Sequence, residues 1–497
     1  MRFKFILPAL TEATSPFFRP IKYSLFPPLG LATLAAHLPD DCEATIEDEH
    51  VTPVRLDDDP DVVAIEVYIT NARRAYAIAD HYRRRGVRVC LGGLHVTSLP
   101  AEAKAHADSI FLGPGEDTWP AFLADLRAGR PRPVYSSKVR TLVGAPQPRR
   151  DLFDAARYLV PNSLVVSRGC PHSCDFCYKT SFFAGGRSFY TAAVDEALAE
   201  IESLRGRHLF FLDDNLFADR RFAMALFEGM RGMGRVWQAA GTVRSVLDGP
   251  LLDAAARCGL SSLFVGFETL NDRALAAHNK GHNSSGDYDR AAAALRGAGV
   301  MINGSFVFGS DEDEPSAFDR TVDWAVSAGI ETATFHILTP YPGTALHGRL
   351  SSEGRLLAAP WDLYDTRHAV FTPARMSAAE LNDGYRRAYS RFYSWGNILK
   401  AAAAKGSARD FLRHVAYAGA WKKLEPLWGA IIRTGMLAKA RPVLEKVLDG
   451  FTPRPTSAPR PCRRSGVSVS SWSCGPEIVR AEGISTGSGW ACRAPRP

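Results

Sequence analysis

No stretch of this 497-residue chain approaches the roughly 18 to 20 consecutive apolar residues that a membrane-spanning helix requires, although 46% of its residues are hydrophobic. A helical membrane span is therefore not expected. The opening Met1-Arg-Phe-Lys-Phe-Ile-Leu-Pro8 offers one short apolar stretch cut by proline, which suits a first β-strand better than a signal peptide, and the protein is expected to remain in the cytoplasm. Cysteine is sparse. Of nine in all, Cys42, Cys90 and Cys258 are scattered without a disulfide pattern, in keeping with a reducing compartment. A basic stripe with interleaved aromatics is also missing. The formal charge is +7, but residues 451–497 hold seven Arg against two Glu and contribute +5 of it. With so little positive charge left for the folded part, a nucleic-acid partner is not expected.

Against this background three cysteines fall within eight residues, in Ser167-Arg-Gly-Cys170-Pro-His-Ser-Cys174-Asp-Phe-Cys177-Tyr. Three neighbouring thiols cannot pair off evenly, and they are one short of the four that close an iron–sulfur cluster with protein ligands alone, so one iron would be left open. A zinc knuckle or three buried thiols are the alternatives. A structural zinc needs a fourth Cys or His at ordinary spacing, and His172 lies inside the tight loop.

The length exceeds what one core usually organises. Residues 1–142 alternate short apolar runs (3–7, 43–46, 62–67, 87–91 and 109–112) with helical stretches (29–37, 71–85 and 119–127), as an α/β doubly wound parallel sheet does. A Pro- and Arg-containing linker is expected over 143–160. Strand and helix then alternate again over 161–345, with strands at 163–167, 208–212, 237–241, 262–266, 301–308 and 332–337. Six β/α units in a row predict a partial parallel barrel whose site lies at the carboxyl ends of its strands. Residues 346–450 read as mostly helical and 451–497 as a disordered tail whose Cys462, Cys474 and Cys492 carry no ligand spacing.

The cysteine spacing, with aromatic Phe176 before the last thiol, resembles the radical S-adenosylmethionine (SAM) superfamily, in which a [4Fe-4S] cluster held by Cys170, Cys174 and Cys177 would chelate SAM at the open iron. The resemblance places Phe176 near the adenine, Asp213, Asp214 and Asn215 at the end of the second strand on the polar part of SAM, Glu268 on the ribose hydroxyls, and Gly304 in the strand beneath the adenine. An N-cap or solvated turn is the plain alternative for the aspartates, and Gly304 is alternatively structural. Tyr178, His336 and Tyr341 are further pocket candidates. Ahead of this core, Leu91-Gly92-Gly93-Leu-His95-Val-Thr97 and Gly113-Pro-Gly115-Glu116 are similar to the cobalamin-binding domain that precedes many radical SAM cores. A generic nucleotide-binding loop is the alternative there. An Asp-x-His-x-x-Gly cobalt-ligating loop is absent, because Asp48-Glu-His50-Val-Thr-Pro53 has only its first letters, so Tyr68, Ile69 and Thr70 are expected beside a cobalamin face with no protein His.

Together these resemblances imply a cobalamin-dependent radical SAM C-methyltransferase, similar to hopanoid and bacteriochlorophyll-pathway methylases. They imply a small-molecule or lipid substrate and electrons from a flavodoxin- or ferredoxin-type donor. A non-methylating radical SAM oxidoreductase or cyclase, and a cofactor-binding sensor, are the rival readings. Peripheral membrane contact through the basic helical segment 398–449 is an alternative to its packing over the barrel mouth.

Overall fold

The computed structural model describes residues 1–10 and 26–423. The cysteines and the disordered tail expected beyond 450 lie outside the described residues, as does 424–449 of the basic segment. The first sheet contains β1 (Arg2–Leu7), β2 (Glu43–Asp48), β3 (Val62–Glu66), β4 (Arg88–Gly92), β5 (Ser109–Leu112) and β6 (Val134–Ser136). All pairs are parallel, in the order β2-β1-β3-β4-β5-β6. Alternate residues of these strands feed two apolar cores. Ile6, Val63, Ile65, Val89 and Leu91 face the helix Ala72–Arg84, while Phe3, Phe5, Ala64, Cys90 and Phe111 face helices Leu29–Ala36 and Gly115–Arg127. The helix Ala72–Arg84 places Ala72, Ala75, Tyr76, Ala79 and Tyr82 on one stripe, carries Arg83 and Arg84 in its last turn, and stops before Gly86 at φ 79°. The strand order reverses between β1 and β3, so a crevice must open above that point.

The second sheet is β7 (Ser163–Leu164), β10 (His208–Phe211), β11 (Val236–Gly241), β12 (Leu260–Glu268), β13 (Met301–Phe308) and β14 (Thr332–Ile337), parallel and in sequential order. The predicted strand 163–167 divides. Its end leaves the barrel and, as β8 (Ser167–Gly169), pairs antiparallel with β9 (Phe189–Thr191), which the sequence pattern did not reveal. The cause is local: the Val166 and Ser167 amides, which would continue the ladder, donate instead to the Asp213 carboxylate.

This sheet has one apolar core, on its outer face, where Leu209, Phe211, Trp237, Leu263, Val265, Phe267, Ile302 and Phe306 meet the surrounding helices. By strand parity the inner face carries Gln238, Ser262, Asn303, Ser305, Thr334 and His336. Helix Ala378–Phe392 covers the open flank of β14. The Tyr393 hydroxyl takes the Ala333 amide at 3.0 Å and donates to the Ala333 carbonyl at 2.8 Å, and the Tyr389 hydroxyl accepts from the Phe335 amide at 3.1 Å. A buried ion pair, Lys405 to Glu331 at 2.7 Å, fastens the next helical segment. No helix among the described residues is long and apolar enough to cross a membrane.

Candidate functional site

The cysteine loop is held from below by carboxylates. Asp213, 3% exposed at the end of β10, accepts from the Ser167 hydroxyl at 2.5 Å as well as from the two backbone amides, and burial pushes it up to about 7 against those donors. Asp214 accepts from Gly169 N at 2.8 Å and pairs with Lys179 at 3.0 Å, bracketing the triad on both sides. The two aspartates expected to face SAM thus have their oxygens engaged with the chain that carries the cysteines. Asn215 is different: its Nδ2 points at Cys170 Sγ, 3.9 Å away, and its Oδ1 is buried with no hydrogen bond.

Cys170, Cys174 and Cys177 are free thiols. Among the described residues no three His, Cys, Asp or Glu side chains converge on a single ion. In a cubane each thiolate takes a different iron, and this loop offers three free thiols. Burial pushes Cys174 up to about 11, opposed by the Lys280 ammonium and reinforced by Cys177, so a thiolate there needs a cation beside it. The residues therefore fit a cluster.

Above the loop, β12 ends in a bulge at Gly266 and Glu268, and Glu268 holds φ 68°, a conformation that non-glycine residues rarely adopt and that concentrates at ligand sites. Its carboxylate pairs with Lys280. Asn283 donates to the Gly266 carbonyl at 2.8 Å, and its Oδ1, like that of Asn303 on the inner face, is buried without a partner. Three carboxamide acceptors without donors suit a ligand rich in N–H and O–H groups, as SAM is. The Phe176 ring meets His278 edge-on at 5.6 Å, and His278 is fixed between Asp175 (2.7 Å) and Ser310 (3.1 Å). Gly304 faces the other way. A side chain there would strike Phe306 and Ile330 in the outer core, so this glycine makes room for packing and not for the adenine.

In the first domain a cleft of about 120 Å³ opens at the carboxyl ends of β3, β4 and β5, lined by Leu34, Glu66, Gly92, Phe111, Glu116 and Trp119 among others. Glycine is required at one of its margins and favoured at another. Gly93, at φ 112°, would press a side chain to 2.7 Å from the Val67 carbonyl, and a side chain on Gly115 would come within 3.1 Å of Leu34. Both Glu116 oxygens are buried without an aligned hydrogen bond, and Oε1 lies 2.5 Å from Arg168 Nε in an ion pair. An apolar slot with a glycine wall and a carboxylate–guanidinium pair at its edge fits the nucleotide tail and amide-bearing rim of cobalamin. His95 does not line this cleft: it is buried, bonded through Nε2 to Glu102 at 2.9 Å, with the Trp361 ring edge-on at 5.7 Å.

Tyr68 and Thr70 stand on the turn after β3. The turn is pinned by Asn71, which accepts from Tyr68 N at 2.9 Å and donates to the Pro8 carbonyl at 3.0 Å. Tyr68 is 39% exposed and donates to Glu66 at 2.8 Å, and that carboxylate holds the phenol above its ordinary range. Tyr68 also stands within electrostatic reach of Tyr178, the residue after Cys177, and Tyr341 within reach of Tyr178 and Cys177. Arg168 and Phe182, on either side of the cysteines in sequence, line the cleft, so the cleft and the cysteine loop adjoin. A strap over 357–370 bridges them, since Trp361 donates to Glu102 at 3.3 Å, Tyr364 and Val370 pack with Ile69 and Tyr341, and Thr366, at φ 65°, bonds His336 at 3.1 Å. Glu66, Asn71, Arg168, His278 and Lys280 were not singled out by sequence. Only Arg168, inside the Ser-Arg-Gly-Cys run, stood next to a recognised motif.

Comparison with known proteins agrees with this geometry. Residues 23–123 match the B12 binding domain, 164–325 the radical SAM superfamily, and 344–452 a domain of unknown function, DUF4070. The bacteriochlorophyllide d C-12(1)-methyltransferase of Chlorobaculum tepidum is 30% identical over 356 residues, which cover 69% of this chain and 77% of that protein. The hopanoid C-2 methylase of Rhodopseudomonas palustris is 26% identical, over 67% of this chain and 66% of that one. Among solved structures the radical SAM methyltransferase TsrM of Kitasatospora setae, with cobalamin and a [4Fe-4S] cluster bound, shares the fold at TM-score 0.59 and 16% identity, covering 88% of this chain and 99% of its own. With its cysteine triad, cobalamin domain and barrel in one chain, this protein belongs to the cobalamin-dependent radical SAM methyltransferase family, whose cofactors are a [4Fe-4S] cluster, SAM and cobalamin.

Proposed function

We propose that the protein is a C-methyltransferase that acts on an unactivated carbon of a largely apolar, polycyclic small molecule of the tetrapyrrole or lipid class. The observation that carries this reading is the meeting of the two halves: Arg168, two residues before Cys170, lines the cobalamin-domain cleft with its Nε 2.5 Å from Glu116 Oε1. When bound, the reduced cluster with SAM supplies a 5'-deoxyadenosyl radical and methylcobalamin supplies the methyl group. The chain's own part is placement. Cys170, Cys174 and Cys177 would hold the cluster, Asn215, Glu268, Asn283 and Asn303 would receive SAM, and Gly92, Gly93, Gly115 and Glu116 would border the cobalamin tail. The strap over 357–370 would exclude water from the substrate between them. The substrate class is supported by the bacteriochlorophyllide and hopanoid relatives and by the aromatic rim of Tyr68, Tyr178 and Tyr341.

The test is anaerobic turnover with reconstituted cluster, cobalamin, a strong reductant and SAM bearing a labelled methyl group, offered a bacteriochlorophyllide or a hopanoid. The expected result is 5'-deoxyadenosine together with S-adenosylhomocysteine, and label on substrate carbon. Deoxyadenosine with oxidised or cyclised but unlabelled product would replace methylation by the cyclase reading. A loaded cluster that cleaves no SAM would favour a sensor.

A further inference from the structure

Two side chains of the radical SAM domain reach into the cobalamin domain's cleft, and one of them is charged. Arg168 is the middle residue of β8, two positions before Cys170, and it lines the cleft together with Phe182. Its Nε lies 2.5 Å from Glu116 Oε1, yet neither Arg168 Nε nor either Glu116 oxygen has a hydrogen bond of acceptable geometry. The pair is thus a close ionic contact in a largely apolar wall that leaves hydrogen-bonding capacity on Arg168 Nε and on both Glu116 oxygens unused by aligned bonds. A primary carboxamide is complementary to that pattern, since its carbonyl accepts from a guanidinium while its NH2 donates to a carboxylate. The corrin rim of cobalamin carries several such amides.

The connection from Arg168 to the cluster site is short and stiff. Arg168 is in register with Tyr190 of β9, and Gly169 sits at φ 83° with its α-carbon pressed against the Ser188 carbonyl so that no side chain fits. The Gly169 amide is tied to Asp214 at 2.8 Å and the Cys170 amide to the Ser188 carbonyl at 2.8 Å. The backbone of Arg168 is thereby held in one register two residues from Cys170, so a ligand that fixes the guanidinium also favours that register. Binding groups that share a rigid element bias one another reciprocally.

We propose that Arg168, although carried by the radical SAM domain, is a cobalamin ligand, and that through it cobalamin binding and cluster assembly at Cys170 are energetically coupled. The proposal rests on the reading of the cleft as the cobalamin site.

It is tested by anaerobic titration of hydroxocobalamin into the full-length chain, cluster-reconstituted or stripped of iron, followed by the visible spectrum. In the wild type the cluster-loaded form should bind about tenfold more tightly than the stripped form, within the usual range for coupled sites. Arg168→Gln should weaken binding by about tenfold and reduce the loaded-to-stripped ratio to within about twofold, because the fork is gone. Arg168→Lys should fall between, keeping charge without the fork. Glu116→Gln, which leaves the cysteine ribbon untouched, should reduce the same ratio. In the reverse direction, cobalamin should slow iron loss to a chelator in the wild type and not in Arg168→Gln. Equal wild-type affinities with and without cluster, or variants that keep wild-type affinity and coupling, would overturn the proposal while the cofactor reading stands. Failure of the wild type to bind cobalamin in either form would remove both.

Discussion

The two parallel sheets of this chain have six strands each, yet one is apolar on both faces and the other on only one. In the first, helices cover both sides, and space for a ligand exists only beyond the strand ends, near the reversal between β1 and β3. In the second, the strands run in sequential order, and the inner face mixes amides, hydroxyls and imidazole with apolar side chains such as Phe264 and Val307. A sheet with two cores can offer a ligand its rim; a sheet with one core can offer its whole concave face. The small side chains of the first site and the polar side chains of the second follow from that difference.

The largest expected effect tests the second sheet's dependence on its loop. Replacing any one of Cys170, Cys174 or Cys177 by Ala should abolish iron binding and SAM cleavage, read by iron content and deoxyadenosine, while cobalamin uptake by the first sheet persists in weakened form. Next comes a matched pair of tryptophans. Trp237, fully buried in the outer core of the second sheet, and Trp119, buried beside the cleft of the first, should each cost about 3–5 kcal/mol in denaturant unfolding when changed to Ala. Only Trp119→Ala should also weaken cobalamin binding.

A subtler contrast concerns polarity. Val89→Asn, placing an amide in a core of the first sheet, should cost about 3 kcal/mol. Asn303→Leu, removing an unsatisfied amide from the inner face of the second, should leave stability within about 1 kcal/mol of wild type and still lower SAM affinity. If both changes destabilise equally, the contrast between the faces fails.

The smallest effect is one of pH. His172 and His282 stack at 3.5 Å, and burial, with the charges of His172, Lys280 and Arg244, holds His282 down to about 4. A histidine depressed in the folded state binds its proton more readily when unfolded. It therefore contributes stability above its unfolded value near 6.5 that is lost as pH falls toward 4. Melting temperature of the cluster-free protein should decline over that window, and His282→Phe should flatten the decline.

Much of this architecture was legible. Strands 109–112, 301–308 and 332–337 coincide with β5, β13 and β14, because each is a β-rich run bounded by turn residues. Strand β6 escaped notice, being three residues within a Pro- and Arg-containing stretch, and so did β9, whose only partner is the ribbon before Cys170. At the site, local motifs announced the cysteines and glycines, but long-range contacts decided what the flanking side chains do. Asp213 and Asp214 looked like ligand groups and brace the loop, 46 and 45 residues away from Ser167 and Gly169. His95 looked like a cleft residue and instead anchors Glu102 beneath the strap. Gly304 is the instructive case, because strand parity with outward-facing Ile302 and Phe306 already told which way it points.

The tyrosine hydroxyls along β14 bear on how the protein behaves in company. An uncovered parallel edge is a template for another chain's strand, and a six-stranded arc ends in two of them. At the β14 end, Tyr389 and Tyr393 occupy the backbone groups that a ninth-hour intruder would need. Losing both phenols would leave the barrel folded yet adhesive, so that self-association on concentration, and not loss of chemistry, would be the first symptom.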